Sequence, residues 1–285
     1  MTSFTVACIQ TTTVTDIDRN LDLLRPMIRQ AAEAGANFIT MPENATMLDR
    51  KRPAILSKAR EEADHPAIPF MANMARETGA WLLAGSLTIR LNEDQVANRS
   101  FLFDSAGAVA ARYDKIHMFD VDLASGERYR ESSYVRSGEE GVLASTPWGL
   151  LGMTVCYDLR FAALYRALAQ GGASFLTVPA AFTHFTGKAH WHVLLRARAI
   201  ETGCFVIAPA QTGTHEDGRK TYGHSLIVAP WGEVLADAGE EPGVITAEID
   251  LAKLDEARGM VPSLRHDREF SKPGPVEVAA RLAGE

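Results

Sequence analysis

Short runs of β-branched and aromatic residues alternate along the chain with longer segments whose apolar positions recur every three or four residues. Residues 4–10 (FTVACIQ) read as a buried strand, and 17–34 carry Leu21, Leu24, Ile28 and Ala32 at helical spacing. Gly35 supplies a stop, because glycine takes the left-handed conformation that closes a helix. Residues 36–41 (ANFITM) form the next predicted strand, ended by Pro42, and a helix over 68–78 gives way at Gly79 to a strand over 81–86. Segments 98–104 and 109–113, split by Ser105-Ala-Gly107, predict an antiparallel hairpin. Then follow a strand over 150–155, a helix over 159–170, a strand over 174–178, a helix over 188–201, and strands over 204–208, 224–229 and 243–249. This order predicts an α/β fold in which mixed sheet is covered by helices. No linker or shift of composition divides the chain, so residues 1–272 read as a single domain and 273–285, rich in proline, glycine and alanine, as a C-terminal tail or arm.

Composition narrows the function. Of 285 residues, 46% are apolar and 23% charged, which is ordinary globular chemistry rather than disorder. The net charge of −7 argues against nucleic acid or an anionic membrane as the main partner, while one basic pocket remains compatible with an anionic small molecule. The longest charge-free stretches, 141–157 and 167–183, contain glycine and proline and fall short of the roughly 20 residues a membrane span needs. Three scattered cysteines are too few for a disulfide framework or a four-cysteine zinc site, and the N-terminus lacks a secretory pattern. The expectation is a soluble cytoplasmic protein with reduced thiols.

Cys8 and Cys204 lie inside apolar strand patterns and read as core. Cys156 ends the run Leu-Leu-Gly-Met-Thr-Val, and Asp158-Leu-Arg160-Phe opens a predicted helix just behind it. A thiol at such a strand-to-helix turn faces out of the sheet edge, where helix N–H groups and the helix dipole favour the thiolate. The N–H of Tyr157 is then placed to bind an oxyanion. On the residues alone, Cys156 stays open between nucleophile and core. None of the eight histidines stands in a compelling relation to it, and His190 and His192, two apart on a helix, point to different sides and make a poor metal pair. Glu43 directly follows a buried strand and Pro42, at the same sheet edge; an apolar setting there would raise its pKa and make it a base. Lys115 follows the second hairpin strand as a candidate cation. Taken singly, these two read more readily as an exposed loop carboxylate and a solvated lysine.

Taken together, Met41-Pro-Glu43, Tyr113-Asp-Lys115-Ile-His and Gly152-Met-Thr-Val-Cys156-Tyr-Asp-Leu-Arg160-Phe resemble the motifs of the nitrilase superfamily of carbon–nitrogen hydrolases, over about residues 4–270. Lys115 follows Glu43 by 72 residues and Cys156 follows Lys115 by 41, in the family's order. The resemblance implies a four-layer α-β-β-α sandwich of two mixed sheets, Glu43 as general base, Lys115 as oxyanion partner and Cys156 as nucleophile, with no metal or organic cofactor. It places the family's second glutamate on Glu131 of Tyr129-Arg-Glu-Ser, with Glu127 as the local competitor. It also implies a homodimer or higher homo-oligomer.

Within the superfamily, Lys115-Ile-His-Met-Phe-Asp-Val-Asp, Thr186-Gly-Lys-Ala-His190-Trp and Tyr222-Gly-His-Ser225 resemble the Nit branch, which holds amidases of deaminated glutathione and ω-amidases. Arg198-Ala-Ile-Glu-Thr and Ala210-Gln-Thr-Gly lean towards the former, which would make the substrate an amide bearing a carboxylate, cut to 2-oxoglutarate and cysteinylglycine. An ω-amidase acting on 2-oxoglutaramate, another amide or carbamoyl hydrolase, and a non-catalytic scaffold of the same fold are the alternatives. Arg160 is the candidate donor to the carboxylate, against a structural ion pair with Asp158 or another carboxylate; Phe182 and Thr186, in the loop after a strand end, are the candidate pocket contacts, with Phe182 as plain packing the bland alternative. Two departures stand out: Ala162-Ala163 replace an expected Pro-Glu, and Lys188 stands where proline is expected.

Overall fold

The computed structural model describes residues 3–124, 126–271 and 274. The first strand, Ser3–Gln10, shows how the two-residue period builds the architecture. Val6 and Cys8 point into one apolar core and Ala7 and Ile9 into another, so both faces of this strand are buried. It lies between Phe38–Thr40, to which it runs parallel, and Gly243–Asp250, to which it runs antiparallel. The sheet continues through Trp81–Leu83 and Val96–Phe103, which pairs with both Leu87–Arg90 and Val109–Asp114. A second sheet runs in the order Val234–Asp237, Leu226–Val228, Phe205–Ala208, Ala173–Thr177, Gly149–Met153, Val142–Thr146, with its three central strands parallel.

Phe4, Val6, Phe38 and Leu83 of the first sheet share a core with Leu151, Met153, Phe175 and Val206 of the second. Phe4 stacks on Trp148 with ring centroids 4.4 Å apart, which pins the two sheets face to face. The outer face of the first sheet is covered by Leu21, Leu24 and Ile28 of helix Ile17–Glu33 and by Met71 and Met74 of helix Ala67–Thr78. Helices Ala162–Gln170 and His184–Thr202 cover the second sheet with Tyr165, Leu168, Trp191 and Leu195. The result is the expected four layers, α-β-β-α.

The short edge strands Leu87–Arg90, Val142–Thr146 and Val234–Asp237 and the helices Arg52–Lys58 and Ala252–Met260 were not expected from the pattern. Val142–Thr146 and Val234–Asp237 are half-solvated edges of mixed composition, which hides the period, and Leu87–Arg90, at four residues, is too short to display one. The helix expected from 159 begins only at Ala162, because a five-residue 3-10 helix, Cys156–Arg160, precedes it. The helix expected from 188 starts at His184, where the Thr183 hydroxyl caps the Thr186 N–H at 3.3 Å. The predicted C-terminal tail 273–285 lies outside the described residues except for Gly274.

Gly85 follows the strand Trp81–Leu83 with φ +66°, and a Cβ there would overlap the carbonyl oxygens of Met41 and Pro42. The chain therefore approaches the Met41–Glu43 corner as closely as backbone allows. Gly85→Ala is expected to lower unfolding stability by about 1–3 kcal/mol through the strained φ and the displaced corner. Denaturant unfolding of the purified variant checks this, and an unchanged midpoint would contradict it.

Candidate active site

Three strand ends converge on one cavity. Glu43 stands just past Phe38–Thr40 and Lys115 just past Val109–Asp114, with the Lys115 N–H donating to the Asn98 carbonyl at 3.0 Å. Cys156 comes three residues after Met153, the end of its strand, and donates its own N–H to the Pro179 carbonyl at 2.8 Å. Asn44 and Cys156 hold φ values of +54° and +50°, a region that side chains with a Cβ seldom occupy. Backbone strain is thus stored beside the carboxylate and at the thiol, as is common at functional sites.

Lys115 Nζ lies 2.9 Å from Glu43 Oε1 and 2.8 Å from Glu131 Oε2, and its side chain is only 2% exposed. Asn98 Nδ2 donates to Glu43 Oε1 at 2.9 Å and to Glu131 Oε1 at 3.3 Å, tying the two carboxylates together. The second oxygen of Glu43 accepts the Ala181 N–H at 3.0 Å, and Glu131 accepts the Phe119 N–H at 2.6 Å. Glu127 instead accepts the Tyr129 hydroxyl at 2.9 Å, so it is Glu131 that meets the lysine.

These contacts set the charges. Burial pushes the Glu43 carboxyl up, but Lys115 and the hydrogen bonds outweigh it and hold Glu43 below the ordinary carboxylate value. Lys115 is itself opposed by burial, yet Glu131 and Glu43 keep its pKa well above the usual lysine range. Burial and then the Glu43 charge push the Cys156 thiol well up, against the pull of Lys115. Both directions correct the expectations from sequence, which were a raised Glu43 and a favoured thiolate. The apolar setting is real, but an ammonium at contact distance outweighs it for Glu43, and the adjacent carboxylate penalises a second anion on sulfur. The resting cluster is carboxylate, ammonium and thiol.

Asp158 holds the turn that carries the thiol. Fully buried, it accepts the Val155 N–H at 2.9 Å, the Tyr113 hydroxyl at 2.7 Å and the His117 N–H at 3.0 Å. It makes no ion pair with Arg160, and among the described residues no other carboxylate pairs with that arginine either. The Arg160 guanidinium instead lies over the rings of Tyr157 at 5.8 Å and Phe182 at 5.3 Å and approaches His190 Nδ1 at 3.2 Å. Phe182 also packs on Trp191, with centroids 4.8 Å apart, and the Thr186 hydroxyl is 2.9 Å from that of Thr183.

A cavity of about 280 Å³ is lined by all eight residues expected from sequence: Glu43, Lys115, Glu131, Cys156, Tyr157, Arg160, Phe182 and Thr186. Among the further lining residues, which the sequence did not single out, are Asn98 and Arg219. Lys188, Ala162 and Ala163 are exposed and outside the lining, so the two departures in sequence do not reshape the cavity wall. Apart from it, His192, His224 and Asp237 form a hydrogen-bonded cluster, Asp237 lying 3.0 Å from His192 Nε2 and 2.9 Å from His224 Nδ1.

The family model for carbon–nitrogen hydrolases matches residues 5–259. The chain belongs to that family. It is accordingly an enzyme that hydrolyses carbon–nitrogen bonds of amides, within the nitrilase superfamily. It is 41% identical over 273 residues to the deaminated glutathione amidase of Synechocystis sp., covering 93% of this chain and 98% of that one. The crystal structure of the Caenorhabditis elegans NitFhit protein superposes with a TM-score of 0.87 at 36% identity, covering 94% of this chain and 66% of that one. A variant of the amidase from Nesterenkonia sp. AN1, carrying the acetamide moiety of fluoroacetamide covalently on its active site cysteine, matches at 27% identity with a TM-score of 0.78, over 91% of this chain and 95% of that one. No helix among the described residues of this hydrolase is long and apolar enough to cross a membrane.

Proposed function

We propose that this hydrolase cuts deaminated glutathione, a 2-oxo acid amide with cysteinylglycine as its amine half, to 2-oxoglutarate and cysteinylglycine by way of a thioester on Cys156. The observation that carries the reading is the cluster in which a thiol faces one carboxylate, Glu43, and one ammonium, Lys115, inside a cavity also lined by unpaired arginine. Glu43 takes the thiol proton as sulfur attacks the amide carbonyl. The oxyanion is met by the Lys115 ammonium and by the N–H of Tyr157, which lies in the first turn of its 3-10 helix, where N–H groups lack helical partners. Glu43 gives its proton to the departing amine as the C–N bond breaks. Water, deprotonated by the same carboxylate and positioned by Glu131, then attacks the thioester carbonyl; the C–S bond breaks and the thiol recovers its proton. Arg160, stacked over Phe182, is the natural partner for the carboxylate of the acyl half.

The relative named a deaminated glutathione amidase supports the substrate, and the amidase that holds an acyl fragment on its cysteine supports the covalent step. We further read residues 1–272 as one hydrolase domain that works as a cytoplasmic homodimer. All three cysteines are free and buried, in keeping with a reducing compartment, and Ile200, Trp231 and Met260 expose apolar side chains around one surface.

The test is side by side: 2-oxoglutarate release from deaminated glutathione and from 2-oxoglutaramate. Preference for the dipeptide amide supports the proposal; preference for the primary amide moves the assignment to ω-amidase. The pH profile adds a second expectation. Because Lys115 holds Glu43 below its ordinary value of 4.5, kcat/KM should stay level as pH falls from neutrality to about that value and decline only below it. An acid limb centred near pH 6 would mean that the lysine does not control this carboxylate.

A further inference from the structure

Seven basic side chains line the cavity, and most of them are spoken for. Lys115 is held by two glutamates; Arg52 pairs with Asp94, and Arg128 and Arg130 with Asp122. Among the described residues, the three lining arginines with no carboxylate partner are Arg50, Arg160 and Arg219. Unpaired guanidinium groups gathered in a concave site are the signature of an anionic ligand, since each has a planar fork of donors left to satisfy.

The three fall into two groups. Arg160 sits over Tyr157 and Phe182. Arg219 and Arg50 both sit over the ring of Tyr129, with their guanidinium carbons 5.3 and 5.5 Å from its centroid. Between them runs an aromatic wall: Tyr129 packs on Phe119 at 5.0 Å and Phe119 on Tyr157 at 5.1 Å. Arg219 donates one terminal N–H to the Ala181 carbonyl, in the loop whose N–H binds Glu43, while its Nε is enclosed and has no hydrogen-bond partner. Asp217 accepts the Arg219 backbone N–H at 2.8 Å and makes no hydrogen bond to the guanidinium. The Tyr129 hydroxyl is turned to Glu127. An enclosed donor without a partner is costly unless a ligand completes it.

We propose that Arg219 and Arg50, braced on Tyr129, form a second carboxylate subsite on the leaving-group side of Cys156, which binds the terminal carboxylate of the departing amine. The inference rests on the amidase reading above and sharpens it: the preferred substrate carries an anion at each end, with Arg160 at the acyl end and the Arg219–Arg50 pair at the amine end. A primary amide, whose leaving group is ammonia, engages only the first. The pair thus separates a dipeptide amide from an ω-amide by a contact that only the former can make.

The test compares deaminated glutathione with its C-terminal glycinamide counterpart, which keeps the acyl half, the scissile bond and the leaving chain but lacks the terminal carboxylate. The wild type should favour the free acid by about 10- to 100-fold in kcat/KM, the span of one charge-assisted hydrogen-bond contact. In Arg219→Gln and in Arg50→Gln that ratio should fall towards one, mainly through KM for the acid, and Arg219→Lys should keep part of it. Arg50 is exposed, so its variant keeps the test sound even if Arg219→Gln folds poorly. A wild-type ratio near one, or equal losses on both compounds in the variants, would overturn the subsite and leave Arg219 as a brace of the Glu43 loop. Turnover of neither compound by the wild type, with 2-oxoglutaramate still cleaved, would instead overturn the dipeptide substrate and the subsite with it.

Discussion

Cys156→Ala is expected to lower kcat by at least about 10³-fold on any amide the enzyme accepts, the scale on which removal of a nucleophile acts. Sulfur is the atom that would hold the acyl group, and with it gone Glu43 and Lys115 still polarise a bound carbonyl but have nothing to transfer it to. The fold should survive, because alanine removes one atom from a buried side chain and inherits the same φ of +50° that cysteine already tolerates. Glu43→Gln should cost a similar factor alone, since the thiol, pushed well up by burial and by the carboxylate itself, has no other acceptor for its proton. Because the two act in one step, the double variant should be little worse than either single one. Initial rates on variants matched to the wild type by circular dichroism make the measurement. Near-normal turnover by a folded Cys156→Ala would remove the thioester from the mechanism.

The strands and helices that bury a full face were legible in sequence, because Val6, Cys8, Ala7 and Ile9 alternate between two cores and Leu21, Leu24 and Ile28 recur along one helix face. Glu43, Lys115 and Cys156 could each be placed after a strand, but singly they stayed open between chemistry and bland alternatives, and only the three motifs taken together, in the family's order, marked them as a site. Glu131 was reachable only through family resemblance, since it opens a three-residue 3-10 helix, Glu131–Ser133, with no period to mark it. Asn98 looks like any polar residue of an alternating strand until the sheet brings it to both carboxylates. Arg219 lies between the short strands Thr212–Thr214 and Lys220–Tyr222, and its neighbours Ala181 and Tyr129 are remote in sequence. The charge states were hidden for the same reason. A carboxylate after an apolar strand looks desolvated and raised, and it is chiefly the ammonium 2.9 Å away, from 72 residues further on, that with the hydrogen bonds reverses the sign.

Lys115→Met should expose how much that ammonium sustains. Methionine approximates the length of the side chain but leaves Glu43 and Glu131, 4% and 14% exposed, without their shared cation. Breaking a buried ion pair from one side typically costs about 3–5 kcal/mol, because the remaining charge is stranded. The pH dependence follows from the signs. In the wild type Glu43 is depressed below 4.5, so its contribution to stability is present above that value and is lost as pH falls through its folded pKa. Lys115 is raised, so its contribution is full below the ordinary lysine value of 10.5 and fades only as pH rises through the folded one. In the variant, burial acts on Glu43 with no lysine to oppose it, so its pKa moves above 4.5 and protonation on acidification relieves the stranded charge. The stability gap between wild type and variant should therefore be widest near neutrality and should narrow as pH is lowered towards 5. Adding Glu43→Gln to the variant should recover part of the loss at pH 7 and little at pH 5, a coupling that separates charge from packing. Urea unfolding of the three proteins at both pH values decides it. A gap independent of pH would mean that the methionine fails by shape, and that Glu43 does not depend on Lys115 for its charge.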